Sequence, residues 1–296
     1  MKTAHFLQLI VLGALWGASF LFTRIAVPVL GPVWLVSARV LAGALFLLAA
    51  GAFLRRAVEV KGNLGHFFCL GLLNTALPFL LFSYAATALT ASLLSIINST
   101  APLWGMLVGI VLTRQAPSWR VLGGLAAGLV GVAVLVLRDP AALAAKSALP
   151  VVAALVAPVC YGIASHYARL QTTHVSPMAV AHGSMWGAFL CLLPVVLVTP
   201  LPVPAAALDV GILASALALG VLCTGVAYQI YFRLVRDIGA ASALTVTFLI
   251  PLFGILWGAV FLNEAINGST FVGAAFVLLG TALVTGFNPL ALSRQG

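Results

Sequence analysis

The sequence predicts an all-α polytopic membrane protein, ten transmembrane helices arranged as two inverted five-helix repeats, and three observations carry that prediction. The composition is 63% hydrophobic and only 6% charged, with a mean hydropathy of +1.21. Apolar runs close to the ~20 residues that span a bilayer recur along the chain. Residues 71–135 also read again 149 positions later. Gly71, Thr75, Gly109, Gly124 and Gly131 return as Gly220, Thr224, Gly258, Gly273 and Gly280, and Pro102-Leu103-Trp104-Gly105 returns as Pro251-Leu252-Phe253-Gly254. If each copy crosses the bilayer an odd number of times, the second must lie upside down relative to the first.

Charge and turn signals delimit the elements in order. Span 1 (6–27) follows Lys2, and its apolar run outlasts a signal-peptide core, so it reads as an uncleaved span. Span 2 (33–54) stops at Arg55-Arg56, and span 3 (66–87) starts after Lys61. Span 4 (89–112) ends at Arg114, and span 5 (119–137) at Arg138. Span 6 (149–170) starts after Lys146 and carries Arg169 near its end; span 7 (178–199) follows. Span 8 (209–232) runs from Asp209 to Arg233, span 9 (239–262) from beyond Asp237 to Asn263-Glu264, and span 10 (269–288) closes the set. The expected units are a first repeat over 1–140 and a second over 141–296. Connections this short exclude a sizeable soluble domain.

The charges orient the spans. With the N-terminus in the cytoplasm, Lys2, Arg55, Arg56, Lys61, Arg114, Arg120, Arg169, Arg233, Arg236 and Arg294 fall at cytoplasmic ends, against Arg138 and Lys146 outside. Both termini are then cytoplasmic, and a bacterial inner membrane is the expected location. Aligned loops also exchange charge: Arg114 and Arg120 match Asn263 and Ser269, while Tyr84 and Thr87 match Arg233 and Arg236. The net charge of +9 therefore orients a membrane protein and does not indicate nucleic-acid binding.

Cys69, Cys160, Cys191 and Cys223 lie in apolar runs without metal-ligand spacing, so no metal, disulfide framework or cofactor is expected. Glycines four apart, such as Gly13/Gly17 and Gly124/Gly128, suit close helix packing. Pro78, Pro102, Pro158 and Pro251 fall near the middle of spans 3, 4, 6 and 9, where each removes a backbone hydrogen bond and bends its helix. The matched pair Pro102 and Pro251 marks a central site about which helix halves rock.

Trp16-Gly17-Ala18-Ser19-Phe20 followed by Pro32 and Arg39, then Ala91-Ser92 ahead of Pro102, and Ala240-Ala241 ahead of Pro251, Asn263-Glu264, Gly273 and Gly280, resemble the EamA-type transporters of the drug/metabolite transporter superfamily. The resemblance runs through essentially the whole chain, and within the family it is to the YddG-like exporters of aromatic amino acids. It implies ten helices and a central cavity lined mainly by spans 1, 3, 4, 6, 8 and 9, with spans 5 and 10 peripheral. One departure is that Arg114-Gln115 stands where the family often carries an acid matching Glu264, so Glu264 reads as a structural residue.

All five carboxylates, Glu59, Asp139, Asp209, Asp237 and Glu264, fall in loops or at span ends. A buried ionisable group is costly and by default functional, so this absence disfavours efflux of lipophilic cations through a shared acid. Lys2, Lys61 and Lys146 are likewise peripheral, so the paired cations that would clamp a sugar phosphate are missing. Arg24, Arg39 and Arg169 are placed at the rims, where they either snorkel to the interface or contribute to holding an anion, and His166 and His182 read as packing residues, with a proton relay as the alternative. The candidate substrate-binding residues near mid-depth are Trp16, Phe20, Asn74, Thr75, Phe79, Phe82, Asn98, Ser99, Trp104, Tyr161, Ser165, Thr224, Tyr228 and Thr247. Trp16 aligns with Tyr161, and Phe79 with Tyr228.

Rings stack an apolar group and attract an ammonium, while amides and hydroxyls bind a polar end. The expected cargo is a small neutral or zwitterionic molecule, an amino acid or similar metabolite, exported by alternating access through a monomer or homodimer. A broad multidrug or purine-like metabolite exporter is the alternative. An intramembrane enzyme is disfavoured because no HExxH, GxSxG or midplane acid pair occurs. A receptor or scaffold is a second rival, disfavoured because the short connections leave no room for a soluble signalling domain.

Overall fold

Two helices joined across a kink occupy Thr3–Phe53. At 1.5 Å per residue each is long enough to cross the ~30 Å hydrocarbon core. They are spans 1 and 2. Gly31 divides them at φ 69°, ψ 163°, a backbone region essentially reserved for glycine, between Pro28 and Pro32. The computed structural model describes residues 3–53, 63–144, 147–171, 176–204 and 208–286. Lys2, Arg55, Arg56, Glu59, Lys61, Lys146 and Arg294 lie outside the described residues, as does the side chain of Arg169.

The remaining spans are Leu64–Ala85, Ala91–Thr113, Trp119–Arg138, Leu149–Gln171, Pro177–Val198, Val210–Ile238, Ala240–Leu262 and Gly268–Thr285, which with the first two make ten. Among the described residues there is no strand. Two spans are interrupted. Span 4 breaks at Ser99-Thr100, between Ala91–Asn98 and Ala101–Thr113, because Pro102 has no N–H to continue the ladder. The Ser99 carbonyl at that break accepts the Thr281 hydroxyl of span 10 at 3.2 Å. Span 9 is interrupted at Leu244-Thr245, whereas Pro251 lies inside the continuous helix Val246–Leu262. Pro158 also lies within an unbroken helix, and Pro78 sits just past a π-helical turn.

That turn recurs. Spans 3 and 8 carry π-helical segments at aligned places, Leu72–Ala76 and Val221–Val226. Each widens its helix by one residue per turn, a feature frequent at functional sites.

The two repeats interlock along glycine seams. Spans 5 and 10 pair closely where Gly124 and Gly131 face Gly280 and Gly273. Gly17 of span 1 lies against Phe253 of span 9, and Gly162 of span 6 against the backbone of Trp104 and Gly105. A side chain at Gly220 would strike the Arg39 carbonyl, and one at Gly71 would strike the Ser184 carbonyl. Spans 2 and 8 therefore pack as spans 7 and 3 do, which makes Ser184 the positional counterpart of Arg39. Hydrocarbon neighbours give helices no hydrophobic reason to associate, so these close backbone contacts supply the packing.

Candidate substrate cavity

Between the repeats lies a cavity of about 1270 Å³. Span 1 contributes Trp16 and Phe20, span 3 Asn74, Phe79 and Phe82, span 4 Asn98, span 6 Tyr161 and Ser165, span 8 Thr224 and Tyr228, and span 9 Thr247. Spans 2, 7 and 10 reach it as well, through Arg39, Ser184 and Thr285. Three residues of the expected set do not border it. The Thr75 hydroxyl is buried without a hydrogen-bond partner, the Ser99 hydroxyl turns back to the Ile96 carbonyl at 2.7 Å, and Trp104 packs its backbone on Gly162. All three follow from the helix face on which they sit.

The walls are aromatic. The Trp16 and Tyr231 ring centroids are 5.5 Å apart, and Phe20 meets Phe82 edge-on at 5.6 Å. Tyr231 and Phe232 extend the aromatic wall beyond the residues singled out in the sequence, and periodicity from Tyr228 was the signal for them.

Among the described residues the cavity reaches exposed positions at one end. There it is bordered by Thr113, Gln115 and Ser118 after span 4, Ser242 and Thr245 at the start of span 9, and Gly286 after span 10. His166 lies near this mouth with Nδ1 3.1 Å from the Gly162 carbonyl. His182 instead faces a side pocket between spans 3 and 7, where its Nε2 lies 3.2 Å from the Trp186 indole N–H.

The opposite end is sealed by buried Leu30, Leu35, Leu89, Leu93 and Leu94 and by a polar staple. Glu264, just past span 9, accepts the Ala91 N–H at 2.7 Å, the Ser92 N–H at 3.0 Å and the Ser92 hydroxyl at 2.6 Å. Thr90 accepts the Leu93 N–H at 3.2 Å. The first three N–H groups of the span 4 helix, which have no intrahelical partner, are all satisfied. Glu264 is thus structural, holding the end of span 9 to the start of span 4. At the same end Arg24 donates to the Ala86 carbonyl at 2.5 Å, so it anchors the end of span 3 where it was expected to snorkel or help hold an anion.

The sequence-aligned partners at the mouth are apart in function. Gln115 matches Glu264, but it is exposed at the mouth, and the helix Ala240–Ala243 that matches the start of span 4 has no side-chain cap. The staple exists at one end and not at the other.

Arg39 requires the main correction. Expected at a rim, it is 9% exposed and borders the cavity. Its guanidinium carbon lies 3.7 Å from the Phe79 ring centroid, and its Nε donates to the Thr224 hydroxyl at 3.2 Å. The cavity is therefore ring-rich but not uncharged. Among the described residues no carboxylate pairs with Arg39. Asp139 and Asp209 cap helices, and Asp237 sits with Arg233, Arg236 and His5 at the mouth end. Among the described residues no cluster of ligands suits a metal ion.

Comparison with known proteins agrees with this architecture. An "Uncharacterized transporter" of Archaeoglobus fulgidus is 21% identical over 91% of this chain and 94% of its own length. "Protein PecM" of Dickeya dadantii is 25% identical over 91% and 88%, and the "Uncharacterized transporter YoaV" of Bacillus subtilis is 20% identical over 98% of each. A solved crystal structure superposes over 100% of this chain and 99% of its own with a TM-score of 0.63 at 19% identity, which shows the fold. The EamA-like transporter family matches twice, over residues 5–137 and 148–286. The chain belongs to that family and is a membrane transporter, not an enzyme.

Proposed function

We propose that this transporter exports amino acids with aromatic or other apolar side chains, and similar small metabolites, from the cytoplasm of a bacterium by alternating access. The observation that carries the reading is the cavity wall. Trp16, Phe20, Phe79, Phe82, Tyr161 and Tyr228 surround Asn74, Asn98, Ser165 and Thr247, and no acid borders them among the described residues. Rings stack an apolar side chain at about 0.5–1.5 kcal/mol per contact beyond burial. The amides and hydroxyls bind the polar end. Weak, distributed contacts favour release on the far side.

The positive-inside bias supports assigning the cavity mouth to the cytoplasm, so the structure corresponds to an inward-open state. The Glu264 staple then closes the outer side. Inverted symmetry supports an outward-open state in which this staple opens and Gln115 moves against the start of the Ala240–Ala243 helix. Glutamine in place of glutamate makes that second closure weaker, and Ala241 offers no hydroxyl where Ser92 does.

The cavity's volume, above the ~300–1,000 Å³ of ordinary ligand pockets, favours a second reading as a broad-specificity multidrug or purine-like metabolite exporter. Flux into proteoliposomes separates the two. Saturable counterflow of phenylalanine or leucine, lost on Trp16→Ala, is expected. No saturable amino acid flux together with flux of a cationic dye rejects the proposal.

A further inference from the structure

We propose that Arg39 is the anchor for one carboxylate, which makes the cargo class apolar or aromatic monocarboxylates whose ammonium group is dispensable. This rests on the transport reading above and narrows its substrate. Arg39 sits nine-tenths buried on span 2 with its charge unmatched by any described carboxylate. A buried cation without a counterion is strongly disfavoured, and the missing anion is one that a cargo can bring.

The surrounding groups hold the guanidinium in a fixed pose. Phe79 lies under its face, and Thr224 holds Nε while its own hydroxyl donates to the Leu219 carbonyl at 2.9 Å. That carbonyl lies five residues back, a bond reach that belongs to the π-helical turn Val221–Val226. The turn therefore fixes the Thr224 hydroxyl as donor to the backbone and acceptor from Arg39. The described hydrogen bond uses Nε alone, so the Nη pair retains the fork geometry that matches a carboxylate bidentately.

The site occurs once. Ser184 occupies the counterpart position of Arg39, and Thr75, the counterpart of Thr224, has no partner for its hydroxyl. One cation recognises one anionic group. Because no acid borders the cavity among the described residues, an ammonium on the cargo finds rings and hydroxyls but no opposite charge.

The test is equilibrium binding to the full chain in nanodiscs, by calorimetry, of L-phenylalanine, 3-phenylpropionate, which lacks the ammonium, and 2-phenylethylamine, which lacks the carboxylate. The first two are expected to bind, and phenylethylamine about tenfold or more weaker, the scale of one charge-assisted hydrogen bond. Arg39→Gln is expected to weaken both carboxylates by a similar factor, with Arg39→Lys recovering part. The parent panel stands without either variant, should they fold poorly. Phenylethylamine binding as well as phenylalanine overturns the carboxylate site and leaves the amino acid reading intact. Phenylpropionate binding without phenylalanine supports the site and rejects amino acids as cargo. Binding of none of the three overturns both.

Discussion

Replacing Glu264 with glutamine tests the staple most directly. The carboxylate receives N–H donors on both oxygens, Ala91 on one and Ser92 on the other, with the Ser92 hydroxyl as a third donor. An amide offers one acceptor oxygen and turns an NH2 group toward one of those donors. At least one charge-assisted bond is lost, and a donor is left facing a donor. A hydrogen bond to a charged group contributes about 1.5–3 kcal/mol. Glu264 is only partly buried, which argues for the lower half of the range. Taking about 2 kcal/mol, the stapled state with the mouth open loses roughly thirtyfold in population relative to the alternative in which the staple opens. Spin labels at Thr113 and Leu244, both exposed at the mouth, report this as a distance distribution. Glu264→Gln is expected to add a shorter component as the mouth closes. A distribution unchanged from the parent refutes the staple as a determinant of state.

Further outcomes follow from the same geometry. Gln115→Glu supplies the acid that the first repeat lacks, and the Thr113–Leu244 distance should shorten in the same direction as for Glu264→Gln. Thr75→Val removes a buried hydroxyl with no partner and should leave thermal unfolding in detergent unchanged or raised, whereas Thr224→Val strips Arg39 of an acceptor and should cost about 1–3 kcal/mol. Gly131→Leu forces a side chain into the Gly273 carbonyl and Val277, so separation of spans 5 and 10 should lower the unfolding temperature by several degrees without altering ligand preference. Thr281→Val leaves the Ser99 carbonyl at the span 4 break unsatisfied and should destabilise by roughly 1–3 kcal/mol, measured by the same unfolding assay.

Much of the architecture was legible in the letters because bilayer thickness acts on every span independently. An apolar run of about 20 residues crosses whatever its neighbours do, so the ten spans, the repeat and the peripheral acids needed no packing information. The structural role of Glu264 was also legible, from its unmatched partner Gln115. Which face of each helix turns inward was not. A soluble helix advertises its buried face by contrast with a polar one. Apart from the amphipathic Ala227–Ile238 end of span 8, these spans are apolar all round, since lipid and protein interior are equally oily. Thr75, Ser99 and Trp104 were therefore indistinguishable in sequence from Asn74, Asn98 and Tyr161, which border the cavity.

Composition, apolar runs and the internal repeat determined ten spans in two related halves with the carboxylates at the span ends, and the resemblance of its motifs to EamA-type transporters carried the function. Tertiary structure decided that the cavity opens at the Gln115 end, that the Glu264 end is stapled shut, and that Arg39 points inward beneath Thr224 and over Phe79. A long cationic side chain in the outer part of a span can reach the interface or the interior with the same sequence around it. Only a ring, a hydroxyl and a π-helical turn brought from other spans settle which environment stabilises its charge.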